Sequence, residues 1–127
     1  MACAVALASL DLFSEYEVLK RVQSLEQQMK GRFSTWSSSP FVGDVRVIGG
    51  VGIIELVADK ESKAAGGYFD LVGVELYKKF IGRNLLLRPL GNVLYFMPPY
   101  VISEEETHWA LDQIEEVVQS LGRQAVS

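Results

Sequence analysis

The pattern of hydrophobic and polar positions predicts a helix in the first quarter of the chain. Ser14 suits the N-cap, Glu17 stands where its capping-box partner belongs, and Gly31 is a plausible end. Between them, hydrophobic residues recur at intervals of four, three and four, which places them on one helix face. They are Val18, Val22, Leu25 and Met29. Residues 1–13 are rich in Ala and Leu and also favour helix, but they offer no N-terminal cap.

Two further helices are predicted in the second half of the chain. One covers Tyr68–Ile81 and ends at Gly82. The other begins after Ser103, which has Glu106 as its capping-box partner, and ends at Gly122. Its hydrophobic positions form a single stripe suited to burial. They are Ala110, Leu111, Ile114, Val117, Val118 and Leu121.

Two short segments before the second helix are typical of strands. Asp44–Ile48 alternates polar and apolar residues, and Ile53–Val57 follows it after a glycine-rich run. The glycines at 49–52 lack the order of a dinucleotide-binding fingerprint and precede a strand, so they predict a bulge or tight turn. Ser34–Pro40 and Ala58–Gly67 have the composition of loops.

A second pair of strands is predicted around a turn late in the chain. Leu85–Leu87 and Val93–Met97 are apolar runs that flank Pro89-Leu90-Gly91-Asn92. Pro fixes φ and Gly or Asn accepts a positive φ, so the chain should bend back there. The order helix, strand, strand, helix, strand, strand, helix predicts an α+β domain. Its mostly antiparallel sheet should be covered by helices on one face.

Composition narrows the functional classes. The 127 residues, 49% hydrophobic and 22% charged, indicate one globular domain. A net charge of −4 without a basic stripe argues against a nucleic-acid partner. The single cysteine, Cys3, cannot form an internal disulfide, which fits a reducing compartment. No run approaches the roughly 18 apolar residues of a membrane span, so a soluble, cytoplasmic protein without a membrane partner is expected.

Arg88 is the main candidate for chemistry because it is a cation inside the apolar stretch 85–100. An arginine in such surroundings must be paired, reach water along its stem, or bind an anion. The structural alternative is an ion pair with Glu55 or another carboxylate. His108 has no second His or Cys nearby, so a metal site is not expected. Cys3 has no basic neighbour that would favour its thiolate, so a nucleophilic role is not expected either.

Two motifs resemble the C-terminal domain of the class III aminotransferases. The first is Arg88-Pro89-x-Gly91-Asn92, and the second is Tyr95-x-Met97-Pro98-Pro99-Tyr100. Within that family they are most similar to the diaminononanoate synthase branch. Residues 2–10, 45–49 and 52–56 agree in the same order, so the resemblance spans nearly the whole chain. It implies that residues 1–127 form the single small domain of a fold-type I enzyme that uses pyridoxal 5′-phosphate (PLP).

The resemblance also implies a function and two site residues. Enzymes of this branch transfer an amino group from S-adenosylmethionine to 7-keto-8-aminopelargonate in biotin synthesis. The arginine that matches Arg88 pairs with the substrate carboxylate, and the hydroxyl of the residue that matches Tyr95 reaches the substrate or its network. Without the resemblance, a core or cross-strand aromatic is the simpler interpretation of Tyr95. No catalytic, cofactor-binding or metal residue is expected in this chain.

The family's covalent lysine and the aspartate that holds the cofactor nitrogen lie in a large domain. No lysine here stands in the family's lysine motif: Lys20, Lys30, Lys60, Lys63, Lys78 and Lys79. The chain also begins after the family's Gly-Asn-Pro-Leu run, so we expect a fragment that is inactive alone. Its expected partners are its own large domain and a second subunit of a homodimer. Two alternatives stay open, a class III aminotransferase with another acceptor and a free-standing α+β interaction module.

Overall fold

A computed structural model describes the backbone of residues 1–57 and 68–124, and the side chains of residues 1–57 and 73–121. The elements are α1 (Ala2–Glu15), α2 (Val18–Trp36), β1 (Val42–Ile48), β2 (Val51–Leu56), α3 (Tyr68–Ile81), β3 (Val93–Phe96) and α4 (Glu104–Gln124). The predicted loop Ala58–Gly67 lies outside the described residues. None of the described helices combines the length and apolar character needed to cross a bilayer. The predicted α+β class is confirmed.

The described strands form one antiparallel sheet in the order β1-β2-β3. β1 and β2 are joined by the predicted tight turn, in which Gly49 has a φ of 53°. The register of this pair shifts between Val42 and Asp44, so the irregularity in pairing lies at the start of β1. β2 is the central strand, and it pairs with β3 from Gly52–Phe96 to Glu55–Val93.

One face of this sheet is buried against helices, as the sequence predicts. Alternate residues of β2 and β3 face the core, where α2, α3 and α4 supply the other large apolar side chains. The core includes Met29, Phe33, Ile54, Leu56, Leu76, Phe80, Leu94, Leu111 and Ile114. The prediction for the stripe of α4 is confirmed for Ala110, Leu111, Ile114, Val117 and Val118, and Leu121 is partly buried.

The start and end of α2 differ from the prediction. Ser14 lies inside α1, and Glu17 occupies the N-cap position in a left-handed conformation with φ of 47° and without a side-chain cap. The helix also continues through Gly31 to Trp36. Phe33 and Trp36 are buried, so they extend the hydrophobic stripe beyond the glycine. Tertiary burial therefore outweighs the weak helix propensity of one glycine.

Leu85–Leu87 is not a strand, contrary to the prediction of a two-stranded corner. β3 pairs with β2, and the turn beside it is closed only by an isolated bridge between Leu90 and Val93. The Leu87 amide donates to the Leu85 carbonyl at 3.1 Å, so this segment is locally bent. Pro89, which follows, has no amide to donate to a ladder.

The last two helices confirm the predicted boundaries but differ in one cap. α4 has the expected capping box, in which the Ser103 amide donates to Glu106 Oε2 at 2.9 Å and the Glu106 amide donates to Ser103 Oγ at 3.1 Å. α3 ends in a Schellman turn. There Asn84, rather than Gly82, takes the left-handed conformation, with φ of 60°. The Leu85 amide bonds the Phe80 carbonyl at 3.0 Å, which turns the chain towards Arg88.

Two glycine substitutions test the packing of α2 on the sheet. A Cβ at Gly52 would lie 2.5 Å from Phe33 Cζ, so Gly52→Ala should lower the free energy of unfolding by about 1–3 kcal/mol. A Cβ at Gly31 meets nothing within 4 Å, so the control Gly31→Ala should raise it by about 0.5–1 kcal/mol. Urea denaturation measures both. Equal effects of the two substitutions would contradict this packing.

Candidate functional site

A groove of about 620 Å³ lies between the end of the sheet and the first turns of α4. Residues 85–88 and the end of β3 line one side, and α4 lines the other. Its side chains are mostly apolar and include Leu86, Met97, Pro98, Val101 and Trp109. The groove also includes both Arg88 and Tyr95. The fold therefore brings together the two site residues predicted from the sequence.

Arg88 is the only Lys or Arg among the described residues that line the groove. Glu55, its alternative partner, lies 3.5 Å from Arg46 Nη2, and Arg46 Nε lies 3.2 Å from Asp44 Oδ2. Among the arginines whose side chains are described, all except Arg88 have a protein partner. Those with partners are Arg21, Arg32, Arg46 and Arg83. Arg88 is exposed and, within the described part of the chain, forms neither a hydrogen bond nor an ion pair.

Tyr95 lies on the outward face of β3 and remains 37% exposed. Its backbone pairs with Ile53 of β2, so it is a cross-strand residue as well as a residue of the groove wall. Its hydroxyl has no hydrogen-bond partner among the residues that the structure describes. The phenol can therefore donate to, or accept from, a molecule bound in the groove.

The structure adds Glu106 and Trp109 of α4 to the groove. The sequence analysis assigned Glu106 only a capping role. Hydrogen bonds from the backbone amide and the hydroxyl of Ser103 hold the pKa of Glu106 below its ordinary value. Trp109 is 44% exposed. Its one available signal was its size and apolar character beside the buried stripe of α4, on the polar side of the helix.

The sequence matches the family described as Aminotransferase class-III over residues 1–118. The chain belongs to this family. Two curated relatives named adenosylmethionine-8-amino-7-oxononanoate aminotransferase are similar to it. The one from Aquifex aeolicus is 35% identical over 124 residues, covering 98% of this chain and 27% of the relative. The one from Synechococcus elongatus is 40% identical over 106 residues, covering 84% of this chain and 23% of the relative.

Solved structures of transaminases are similar to this class III chain in fold. A structure described as "Transaminase with L-ala" superposes with a TM-score of 0.87 at 25% identity, covering 98% of this chain and 29% of the other. Another, described as "co-factor free Transaminase", also gives 0.87, at 24% identity, and covers 98% of this chain and 30% of the other. The chain spans about a quarter of the length of the curated relatives that it matches.

Class III aminotransferases depend on PLP, whose chemistry requires a lysine that binds the cofactor covalently. The described residues that line the groove include no lysine and no aspartate. They therefore do not fit the covalent attachment of PLP or a carboxylate contact to its ring nitrogen by aspartate. What this part of the class III chain offers is one unpaired cation and a phenol beside an apolar wall.

Titration of Glu106 tests the electrostatics of the groove. Ser103→Ala removes one donor to the carboxylate and should raise the pKa of Glu106 towards its ordinary value of 4.5. Because the folded-state pKa is lowered, the stabilisation is present above the unfolded-state pKa and is lost as pH falls through the folded-state value. Carboxyl NMR titration measures the shift. Ser103→Thr retains the hydroxyl and should retain the low pKa, whereas an equal rise in both variants would contradict this assignment.

Proposed function

We propose that this chain recognises the substrate carboxylate for a biotin-pathway aminotransferase. The enzyme would transfer an amino group from S-adenosylmethionine to 7-keto-8-aminopelargonate and release 7,8-diaminopelargonate. The names of the curated relatives support the reaction, and the motifs around Arg88 and Tyr95 support the site. The observation that carries the proposal is the unpaired guanidinium of Arg88 in a mostly apolar groove.

The chemistry of the groove suits an aliphatic acid. The guanidinium of Arg88 is planar and always charged, so it can donate two parallel hydrogen bonds to one carboxylate. The hydrocarbon chain of the acid would pack on exposed apolar residues such as Leu86 and Met97, which are 77% and 64% exposed. Tyr95 can add a third hydrogen bond from the same wall. Charge and apolar area together favour a fatty-acid-like substrate over a short polar one.

The covalent chemistry would come from residues outside the described groove. PLP would supply the amino-transfer chemistry, and a large domain would supply the lysine that holds it. The chain alone would then be inactive, and the complete protein would be a cytoplasmic homodimer. The length of the relatives supports a larger protein, because their aligned portions are only 23% and 27% of their sequences.

The surface of α1 supports contact with a further domain or subunit. No residue of α1 is buried, and Val5, Leu7 and Leu10 are each more than 60% exposed. Apolar side chains that are exposed together on one element mark interaction surfaces. We therefore assign α1 to contact with the large domain or the second subunit of the proposed enzyme.

A second candidate is a class III aminotransferase that acts on another acceptor. Similar structures described as transaminase or omega transaminase favour it, although several of them show the fold alone at their level of identity. A coupled assay of the complete enzyme distinguishes the two candidates. Activity with S-adenosylmethionine and 7-keto-8-aminopelargonate supports the first, and activity only with another donor and acceptor supports the second.

Substitution of Arg88 tests the carboxylate site directly. In the complete aminotransferase, Arg88→Leu should lower kcat/KM for 7-keto-8-aminopelargonate by about 10–100-fold, since a charge-assisted hydrogen bond contributes about 1.5–3 kcal/mol. Arg88→Lys should be intermediate because it keeps the charge and loses the fork. Arg46→Leu, which removes an arginine outside the groove, is the control. Equal kinetics for wild type and Arg88→Leu would refute the role of Arg88.

The exposed surface of α1 predicts self-association of this chain in isolation. Sedimentation velocity should show a mass that rises with concentration, because association removes apolar area from water. Leu7→Gln combined with Leu10→Gln should weaken that association, whereas Ser9→Gln introduces glutamine without removing an apolar side chain. A monomer at every concentration, or an equal effect of the two variants, counts against an interface on α1.

A further inference from the structure

The segment that carries Arg88 is held mainly at its two ends. Residues 85–89 form no strand, and the amides of Leu86 and Arg88 donate to no acceptor in the described part of the chain. Leu87 is buried at 6% exposure, whereas Leu86 is 77% exposed. The position of the guanidinium therefore depends on how the chain enters this segment from α3 and leaves it at Leu90.

The entry to the segment is a defined turn rather than a flexible link. Asn84 takes the left-handed conformation, and the amide of Leu85 bonds back to the Phe80 carbonyl. Leu85 packs against the buried core cluster, to which Phe80 belongs. Because this turn is closed by backbone hydrogen bonds, a shift at the residue before it is passed on to the residues after it.

That preceding residue, Arg83, is tied to α4. Its Nη1 donates to Gln113 Oε1 at 3.1 Å and also pairs with Glu116. Gln113 lies four residues after Trp109, and Glu116 lies three residues after Gln113, which puts all three on one face of the helix. Trp109 lines the groove opposite the Arg88 segment. One stripe of α4 therefore supplies a groove wall and also anchors the start of the segment that faces it.

The geometry points to Arg83 as a positioning residue for Arg88, an inference that rests on the proposed role of Arg88 as the carboxylate ligand. Arg83 does not line the groove, so it acts through the backbone turn. It fixes the Arg88 segment relative to the Trp109 wall and so sets where the guanidinium meets the acid. A shift of this kind changes substrate binding without removing any group that contacts the substrate.

The chain contains a matched control for this role. Arg32 of α2 pairs with Asp112 and Glu115 of α4, and its side chain is 32% exposed against 35% for Arg83. Both arginines thus join another part of the chain to α4 through acidic partners. Arg32, however, is not adjacent to the Arg88 segment and does not line the groove. A purely structural ion pair would respond alike at the two positions.

The experiment compares Arg83→Gln with Arg32→Gln in the complete aminotransferase. Arg83→Gln should raise KM for 7-keto-8-aminopelargonate on the order of tenfold with little change in kcat, whereas Arg32→Gln should leave KM unchanged. The exchanged pair Arg83→Glu with Glu116→Arg should restore KM. Hydrogen exchange in the same variants should show faster exchange at the Leu85 and Leu87 amides for Arg83→Gln only.

The outcomes separate this inference from the proposed function. Equal KM values for Arg83→Gln and Arg32→Gln, or a failure of the exchanged pair to restore KM, would overturn the positioning role while Arg88→Leu still impairs binding. If Arg88→Leu has no effect on KM, the proposed function fails instead. The positioning of the segment then stands or falls on hydrogen exchange, and unchanged protection at Leu85 and Leu87 would overturn it.

Discussion

Burial of one sheet face against α2 and α4 is the constraint on which the rest of the structure depends. Gly52 of the central strand leaves room for Phe33 and Met29, and Ile54 and Leu56 continue the same buried face. Because side chains alternate across a strand, this choice directs Tyr95 to the opposite face. The same packing fixes α4, whose first turns line the groove.

The distribution of charge follows from this packing. Arginines that join helices or strands find acidic partners: Arg32 and Arg83 pair with α4, and Arg46 pairs with neighbouring residues of the sheet. Arg88 follows a segment with few backbone hydrogen bonds and faces an apolar wall, where the described residues offer it no carboxylate partner. A charge in such a place is best satisfied by an anion from outside the chain.

The local signals in the sequence succeeded where one interaction dominates. The capping box of Ser103 and Glu106 and the boundaries of α3 could be predicted because they depend on neighbouring residues. They failed where burial decides. The weak propensity of Gly31 is outweighed by Phe33, and a capping box at Ser14 is absent because α1 runs through it to Glu15.

The sequence by itself determined the family, the α+β class and the two residues, Arg88 and Tyr95, that the motifs single out. Only the tertiary structure decided that these residues share a groove with Trp109 and that Glu55 is paired with Arg46 instead. The reason is physical. Motifs record residue types at fixed spacing, whereas a groove and its unpaired charge arise from contacts between segments far apart in the chain.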